Sequence, residues 1–160
     1  METLTLIAAT LATGLSAGVF AVFAHTIMPG LRATDDRTFV SAFQQIDRHI
    51  INPWFVGLTF FGALVFGGLA ALATRGDPAC RWVVVALVGH ILVVAITIAV
   101  HLPLNDAIKA AGVPDAIDVS AVRLRFHESR WVAWNIARVL LSIGSFTCLA
   151  WALVEHGRTR

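Results

Sequence analysis

The stretch WVAWNIARVLLSIGSFTCLAWALV, residues 131–154, decides the fold. A helix needs about 20 predominantly apolar residues to cross a bilayer, and this run supplies them with Arg138 as its single charged side chain. Working outward, three more apolar runs of that kind occupy residues 4–28, 53–73 and 82–102. The chain therefore reads as an all-α integral membrane four-helix bundle of up-down topology, one domain over residues 1–160. Composition agrees, with 58% hydrophobic and 14% charged residues and a mean hydropathy of +0.78. Such a chain cannot cover a water-facing surface with polar atoms. The same figures exclude a disordered chain, a disulfide scaffold and a basic nucleic-acid module. A net charge of +2 implies no acidic partner. Cys80 and Cys148, far apart and without a CxxC spacing, read as packing residues.

The first run is expected to be a retained span rather than a secretory signal, because its start carries Glu2 and no Lys or Arg and its apolar stretch is long. Pro29-Gly30 is expected to close it, and Thr74-Arg75-Gly76-Asp77-Pro78 joins spans two and three as a tight turn. The other two connections are longer, carry most of the charge and share one membrane face, the site end. In the first of them Phe39, Phe43, Ile46 and Ile50 repeat at helical spacing, which predicts an interfacial amphipathic helix before the Asn52-Pro53 step. Arg32, Arg37, Arg48, Lys109, Arg123, Arg125 and Arg130 lie at the site end, against Arg75, Arg81, Arg158 and Arg160 at the other. That excess of positives favours a cytoplasmic site end. The location it implies is a bacterial inner membrane, crossed several times.

Ionisable side chains inside a span cost about 2.5–3.5 kcal/mol each on insertion scales and so point to function. In span four Arg123, His127, Trp131, Trp134 and Arg138 recur at helical intervals beside Asn135, and Ser142 and Ser145 extend the line. Span three carries His90, Val94, Thr97, His101 and Asn105, and span one Gly14, Gly18, Ala21 and His25. Span two adds Asn52, Phe55, Thr59, Gly62 and Phe66 as a largely aromatic wall. Arg138 is either a buried cation held by carbonyls or by a carboxylate, with Asp47, Asp106 and Glu128 at the site end as the candidates, or an anion binder deep in a pocket. His25, His49, His101 and His127 converge in this reading and could hold copper, iron or zinc. A neutral histidine acting as a general base needs no metal and fits the same residues. His90 and His156 read as hydrogen-bonded structural residues. Trp131 suits an interfacial belt, whereas Trp134, one turn from Arg138, suits stacking on a flat ligand. Gly14 and Gly18 form a GxxxG pair that would allow a homo-oligomer.

Four elements in combination, Met28-Pro29-Gly30-Leu31, Ile50-Ile51-Asn52-Pro53, Leu102-Pro103-Leu104-Asn105-Asp106 and the opening of span four from Trp131 to Arg138, resemble the anthrone oxygenase-like family of small four-span membrane proteins. The resemblance runs over most of the chain. It implies an oxidoreductase that converts an anthrone to an anthraquinone with molecular oxygen, the activity of those members that have one assigned. His101 and Asp47 stand where the family pattern often has Asn.

The expectation is thus a membrane oxygenase for a small apolar aromatic substrate that arrives through the lipid. His101 or His127 would be the base, and Arg138 with Asn135 would hold the oxyanion. Trp134, Trp131 and Phe55 would clamp the ring, with Asn105 and Asn52 orienting these groups. Molecular oxygen would be the co-substrate, either with no cofactor or with a metal on the four histidines. The alternative is a non-catalytic membrane protein that binds a quinone, a lipid or a partner helix in the same place.

Overall fold

The computed structural model describes residues 1–158, so Arg160 of the charge count lies outside the described residues. Five helices build it: α1 Glu2–Arg32, α2 Asp36–Ile50, α3 Pro53–Ala73, α4 Cys80–Ala110 and α5 Val119–Arg158. Among the described residues there is no strand. α1, α3, α4 and α5 are long and apolar enough to cross a membrane. α1 and α4 are diagonal partners, each packed on both α3 and α5.

The helices outrun the apolar runs, and the prolines explain how. A proline inside a helix donates no hydrogen bond and its ring collides with the carbonyl four residues back, so Pro29 and Pro103 are expected to end their spans. Instead each lies just beyond a widened π turn, Phe23–Ile27 in α1 and Thr97–His101 in α4. There the N–H groups of Met28 and Leu102 reach back five residues, to the carbonyls of Phe23 and Thr97. The helix continues past each proline to Arg32 and Ala110. Most of the second long connection is therefore helical, and only a short segment around Pro114–Ala116 separates α4 from α5. α3 begins with a π stretch of its own, Pro53–Phe61, with Pro53 in the first turn, where its missing N–H costs nothing.

Asn52 caps α3. Its Oδ1 accepts the Phe55 N–H at 3.0 Å, and its Nδ2 donates to the His49 carbonyl at 2.8 Å. Asp35 and Asp118 cap α2 and α5 likewise. Those bonds hold both carboxyls below the ordinary carboxylate value, the Thr38 N–H being foremost for Asp35 and the Ser120 hydroxyl for Asp118.

Near the α3–α4 turn the core is built of small residues. Ala9, Ala70, Ala79, Ala86 and Ala152 surround Leu6, Val83 and Leu149 and bring the four spans close. The turn is stapled to the end of α5 by His156 Nδ1 with Asp77 Oδ2 at 2.5 Å and by Arg81 with Glu155 at 2.7 Å. The other end is different. α2 lies across the bundle, with Phe39, Val40 and Phe43 buried against Phe126, Trp131 and Ile108. The apolar face of this amphipathic helix is thus covered by protein. Arg123 holds it there: the guanidinium donates to the Arg32 and Thr34 carbonyls, pairs with Asp36 at 2.9 Å and lies over the Phe39 ring at 4.3 Å. Arg123 is a tie between α1, α2 and α5, not the start of a polar stripe.

The inward face of α1 also differs from the expected one. Leu6, Ala9, Thr13, Ser16, Phe20 and Phe23 are buried, whereas Gly18 and His25 are exposed. Gly14 receives Phe146 of α5, since a Cβ there would sit 2.9 Å from that ring, and nothing approaches Gly18. Half of the GxxxG pair is thus spent inside the chain. The tightest approach lies between α4 and α5, where a Cβ on Gly89 would fall 2.3 Å from Ser145 Oγ. Gly89→Ala is expected to cost about 1–3 kcal/mol by overpacking and to lower the thermal midpoint in detergent. Adding Ser145→Ala should recover most of the loss, because the remaining neighbours lie at ordinary contact distance, 3.7 Å. A single variant as stable as the parent, or a double variant no better than the single, would contradict this packing.

Candidate functional site

Where α2 caps the bundle the spans enclose a cavity of about 400 Å³, within the common range of about 300–1,000 Å³ for small-molecule sites. All three π turns border it. They contribute Phe23 from α1, Phe55, Phe60 and Phe61 from α3, and Thr97 and His101 from α4. A widened turn shifts the faces of a helix locally, and such turns gather at functional sites. α3 and α4 pack together near their connecting turn, and at this end Phe61 on α3 and Ile98 and Leu102 on α4 are among the lining residues. These three side chains are themselves exposed on the apolar belt.

The lining is overwhelmingly aromatic and aliphatic, interrupted by six polar side chains: Arg138, Thr97, His101, Trp131, Asn105 and Asp47. Arg138, 6% exposed, donates from Nη2 to Asn135 Oδ1 at 2.8 Å and from Nη1 to Thr97 Oγ1 at 3.1 Å. Its guanidinium lies 4.4 Å over the Phe20 ring, and its Nε has no partner. Asn135 is fixed by its own bond from Nδ2 to the Phe20 carbonyl. The three carboxylates that could have neutralised Arg138 are engaged elsewhere. Asp47 and Asp106 pair with Lys109, at 2.8 and 3.0 Å, and Glu128 pairs with Arg32 and Arg123. Among the described residues no carboxylate forms an ion pair with Arg138.

His101 stands one turn from Thr97 on α4. It is 1% exposed, and neither ring nitrogen has a hydrogen-bond partner. Its ring meets Trp131 edge-on at 4.9 Å. The Trp131 Nε1–H donates to Asn105 Oδ1 at 2.8 Å, and Asn105 Nδ2 donates to Asp47 Oδ1 at 2.6 Å. A connected polar chain thus runs from the cavity wall through Asp47 to Lys109.

Of the residues singled out from sequence, His101, Arg138, Trp131, Phe55 and Asn105 line the cavity, and Asn135 stands directly behind Arg138. The other three histidines do not join them. His25 and His49 are exposed, with Nδ1 held by the Thr26 hydroxyl and the Gln45 carbonyl. His127, also exposed, sits at φ 51°, the left-handed break between the two arms of α5. Among the described residues no three His, Cys, Asp or Glu side chains form a set able to hold a metal ion. The four-imidazole cluster is therefore corrected to one cavity histidine. The tryptophan roles also exchange. Trp131 is 3% exposed and forms the wall, while Trp134 is 42% exposed and faces outward. Asn52 is the cap of α3 and not a lining residue. His90 and His156 are hydrogen-bonded, His90 Nε2 to the Phe60 carbonyl at 3.0 Å.

The lining also holds residues that the sequence reading missed. Phe20 and Phe23 belong to the buried face of α1, signalled by the hydroxyls of Thr10, Thr13 and Ser16 at spacings of three. Phe43, Ile46, Asp47 and Ile50 come from α2, whose role as the cap of a cavity has no signal in its own periodicity.

No curated protein and no solved structure matches the chain. The family model described as anthrone oxygenase matches residues 51–148, which run from the start of α3 into the last third of α5 and include His101, Asn105, Trp131, Asn135 and Arg138. With well over half of its length matched, the chain belongs to the anthrone oxygenase family.

Proposed function

We propose that the protein is a membrane oxygenase that oxidises a flat, apolar, anthrone-like substrate with molecular oxygen. It would work in a bacterial inner membrane, with the substrate arriving from the lipid between α3 and α4. One observation carries the reading: a buried histidine with both ring nitrogens unbonded and a buried arginine without a carboxylate face the same aromatic cavity. A base and an oxyanion holder are what the reaction needs. Removing a proton from the methylene carbon of an anthrone yields an aromatic phenolate, so charge develops on the carbonyl oxygen. The neutral His101 imidazole accepts that proton. Arg138, braced by Asn135 and Thr97, donates to the oxygen in surroundings where water does not compete.

The electron-rich carbon then adds oxygen, and His101 returns its proton to the peroxide. Loss of water from that hydroperoxide leaves the second carbonyl. The methylene loses two hydrogens, one oxygen atom becomes the new carbonyl and the other leaves as water, so no external reductant is required. Trp131, Phe20 and Phe55 present ring faces or edges to a planar ligand. His127 is too exposed to share this role, and the outward Trp134 serves the membrane boundary.

The test is oxygen uptake by detergent-purified protein given anthrone, with and without a chelator. Arg138→Met and His101→Ala should each lower kcat/KM by at least about 100-fold, the loss of about 3 kcal/mol of transition-state stabilisation. His127→Ala should stay within about twofold of the parent, and turnover should survive chelation. Parent-like rates in Arg138→Met or His101→Ala would remove the assignment. Tight quinone retention without any uptake would favour the non-catalytic binding reading.

Arg138→Met has a second expected outcome. Removing a buried cation relieves a desolvation penalty of several kcal/mol, which outweighs the cost of about 1–3 kcal/mol for leaving Asn135 Oδ1 without its donor. The thermal midpoint of that variant should therefore hold or rise while turnover is lost. A large fall in the midpoint would mark Arg138 as structural.

A further inference from the structure

The cavity's polar groups are unevenly distributed by kind. The Thr97 hydroxyl is spent, donating to the Val93 carbonyl at 2.8 Å and accepting from Arg138. The Trp131 N–H is spent on Asn105, and one of the two amide N–H groups of Asn105 on Asp47. Beside the other Asn105 N–H, three groups remain for a ligand. Arg138 offers donors only, His101 one donor and one acceptor, and Asp47 acceptors only.

They are ordered along the cavity by α4, on which Thr97 beside Arg138, then His101, then Asn105 beside Asp47 succeed one another at steps of four residues. Two such steps span roughly 12 Å at about 1.5 Å per residue, comparable with the length of a three-ring skeleton. Asp47 is 7% exposed and lines the cavity. Asn105 and Lys109 take one lone pair on each of its oxygens, and a carboxylate has about four. Asp47 is the single carboxylate in the lining, and Lys109, which also pairs with Asp106, is not among the lining residues.

We propose that Asp47 is the specificity-determining residue of this site. Its carboxylate accepts a hydrogen bond from a hydroxyl or N–H group on the outer ring of a ligand whose carbonyl oxygen lies on Arg138. The site then selects flat ligands with an acceptor at the inner end, a donor at the outer end and an apolar middle. The inference rests on the reading that an aromatic ketone fills the cavity. It adds a second recognition point, supplied by α2, which lies outside the matched residues 51–148.

Two stable, neutral quinones separate the possibilities: 2-aminoanthraquinone, which carries a donor, and 2-methylanthraquinone, which has nearly the same shape without one. Binding to the full-length protein in detergent is read by quenching of tryptophan fluorescence. A hydrogen bond to a charged group contributes about 1.5–3 kcal/mol, so the parent should bind the amino compound at least about tenfold more tightly. In Asp47→Leu combined with Lys109→Met, which avoids stranding the lysine, that ratio should fall to within about twofold. Should the pair fail to fold, Asp47→Asn serves in its place and should reduce the ratio by at least about threefold. Equal affinities in the parent, or a preference that survives the substitutions, would overturn the proposal. If neither quinone binds, the aromatic-ligand reading falls and this inference falls with it. Selective binding of the amino compound by a protein that never consumes oxygen would leave Asp47 in this role and remove only the oxygenase reading.

Discussion

A proline in a membrane-spanning helix forces a choice, because hydrocarbon offers no water to satisfy the backbone groups it disturbs. Here the choice is the π turn. Pro29 and Pro103 each sit just beyond one and Pro53 opens a third, and all three occur where the bundle loosens around the cavity. The carbonyls near these turns are collected by side chains from neighbouring helices. His90 reaches the Phe60 carbonyl, Asn135 the Phe20 carbonyl and Ser16 the Thr59 carbonyl. Backbone distortion and buried polar residues therefore belong to one arrangement. The widening that admits Pro29 and Pro103 brings Phe23 and His101 to the cavity, and the π stretch at the start of α3 brings Phe60 to it.

Arg138 dominates the energetics of that space. A cation this deep loses several kcal/mol of hydration, and two neutral acceptors and two aromatic faces restore only part of it. A carboxylate would have neutralised it, and the site end of the chain carries three candidates. Yet Asp47, Asp106 and Glu128 are each tied to another cation. An arrangement that keeps a counter-ion away from a buried guanidinium favours a ligand whose own negative charge appears transiently, as an oxyanion does.

How much of this was legible in the sequence depends on helix register. Four apolar runs and the tight turn from Thr74 to Pro78 were enough for the bundle, because hydropathy and length act residue by residue. The α4 line through Thr97, His101 and Asn105 was legible as well, and of the expected α5 line Trp131, Arg138, Ser142 and Ser145, with Asn135 beside them, are buried while His127 and Trp134 are exposed. Reading failed where a regular 3.6-residue period was assumed across an irregular turn. The π turn at Phe23–Ile27 and the left-handed break at His127 change the helical phase, and so His25 and His127 leave the interior. Choosing between Trp131 and Trp134 required knowing that the burial stripe runs through 131, 135 and 138, which a window containing both tryptophans leaves undecided. The cap formed by α2 had no periodic signal to distinguish protein from lipid as its partner, since either buries Phe39 and Phe43 equally well.

The attachment of that cap divides the site into two parts with different physical origins. The deep part, with Arg138, Thr97 and His101, lies on membrane-spanning helices held by their mutual packing and is as fixed as the bundle itself. The outer part, with Phe43 and Asp47, lies on α2, which is held by the burial of Phe39, Val40 and Phe43 and by polar ties. Gln44 donates from Nε2 to the Ile108 and Gly112 carbonyls, closing the end of α4, and Arg123 joins α2 to α1 and α5. The chemistry proposed for the cavity needs only the deep groups, whereas recognition of the ligand's far ring needs the outer ones. Substitutions in α2 can therefore change which ligand fits without altering the base or the oxyanion holder, because no bond from α2 reaches Arg138 or His101 directly among the described residues.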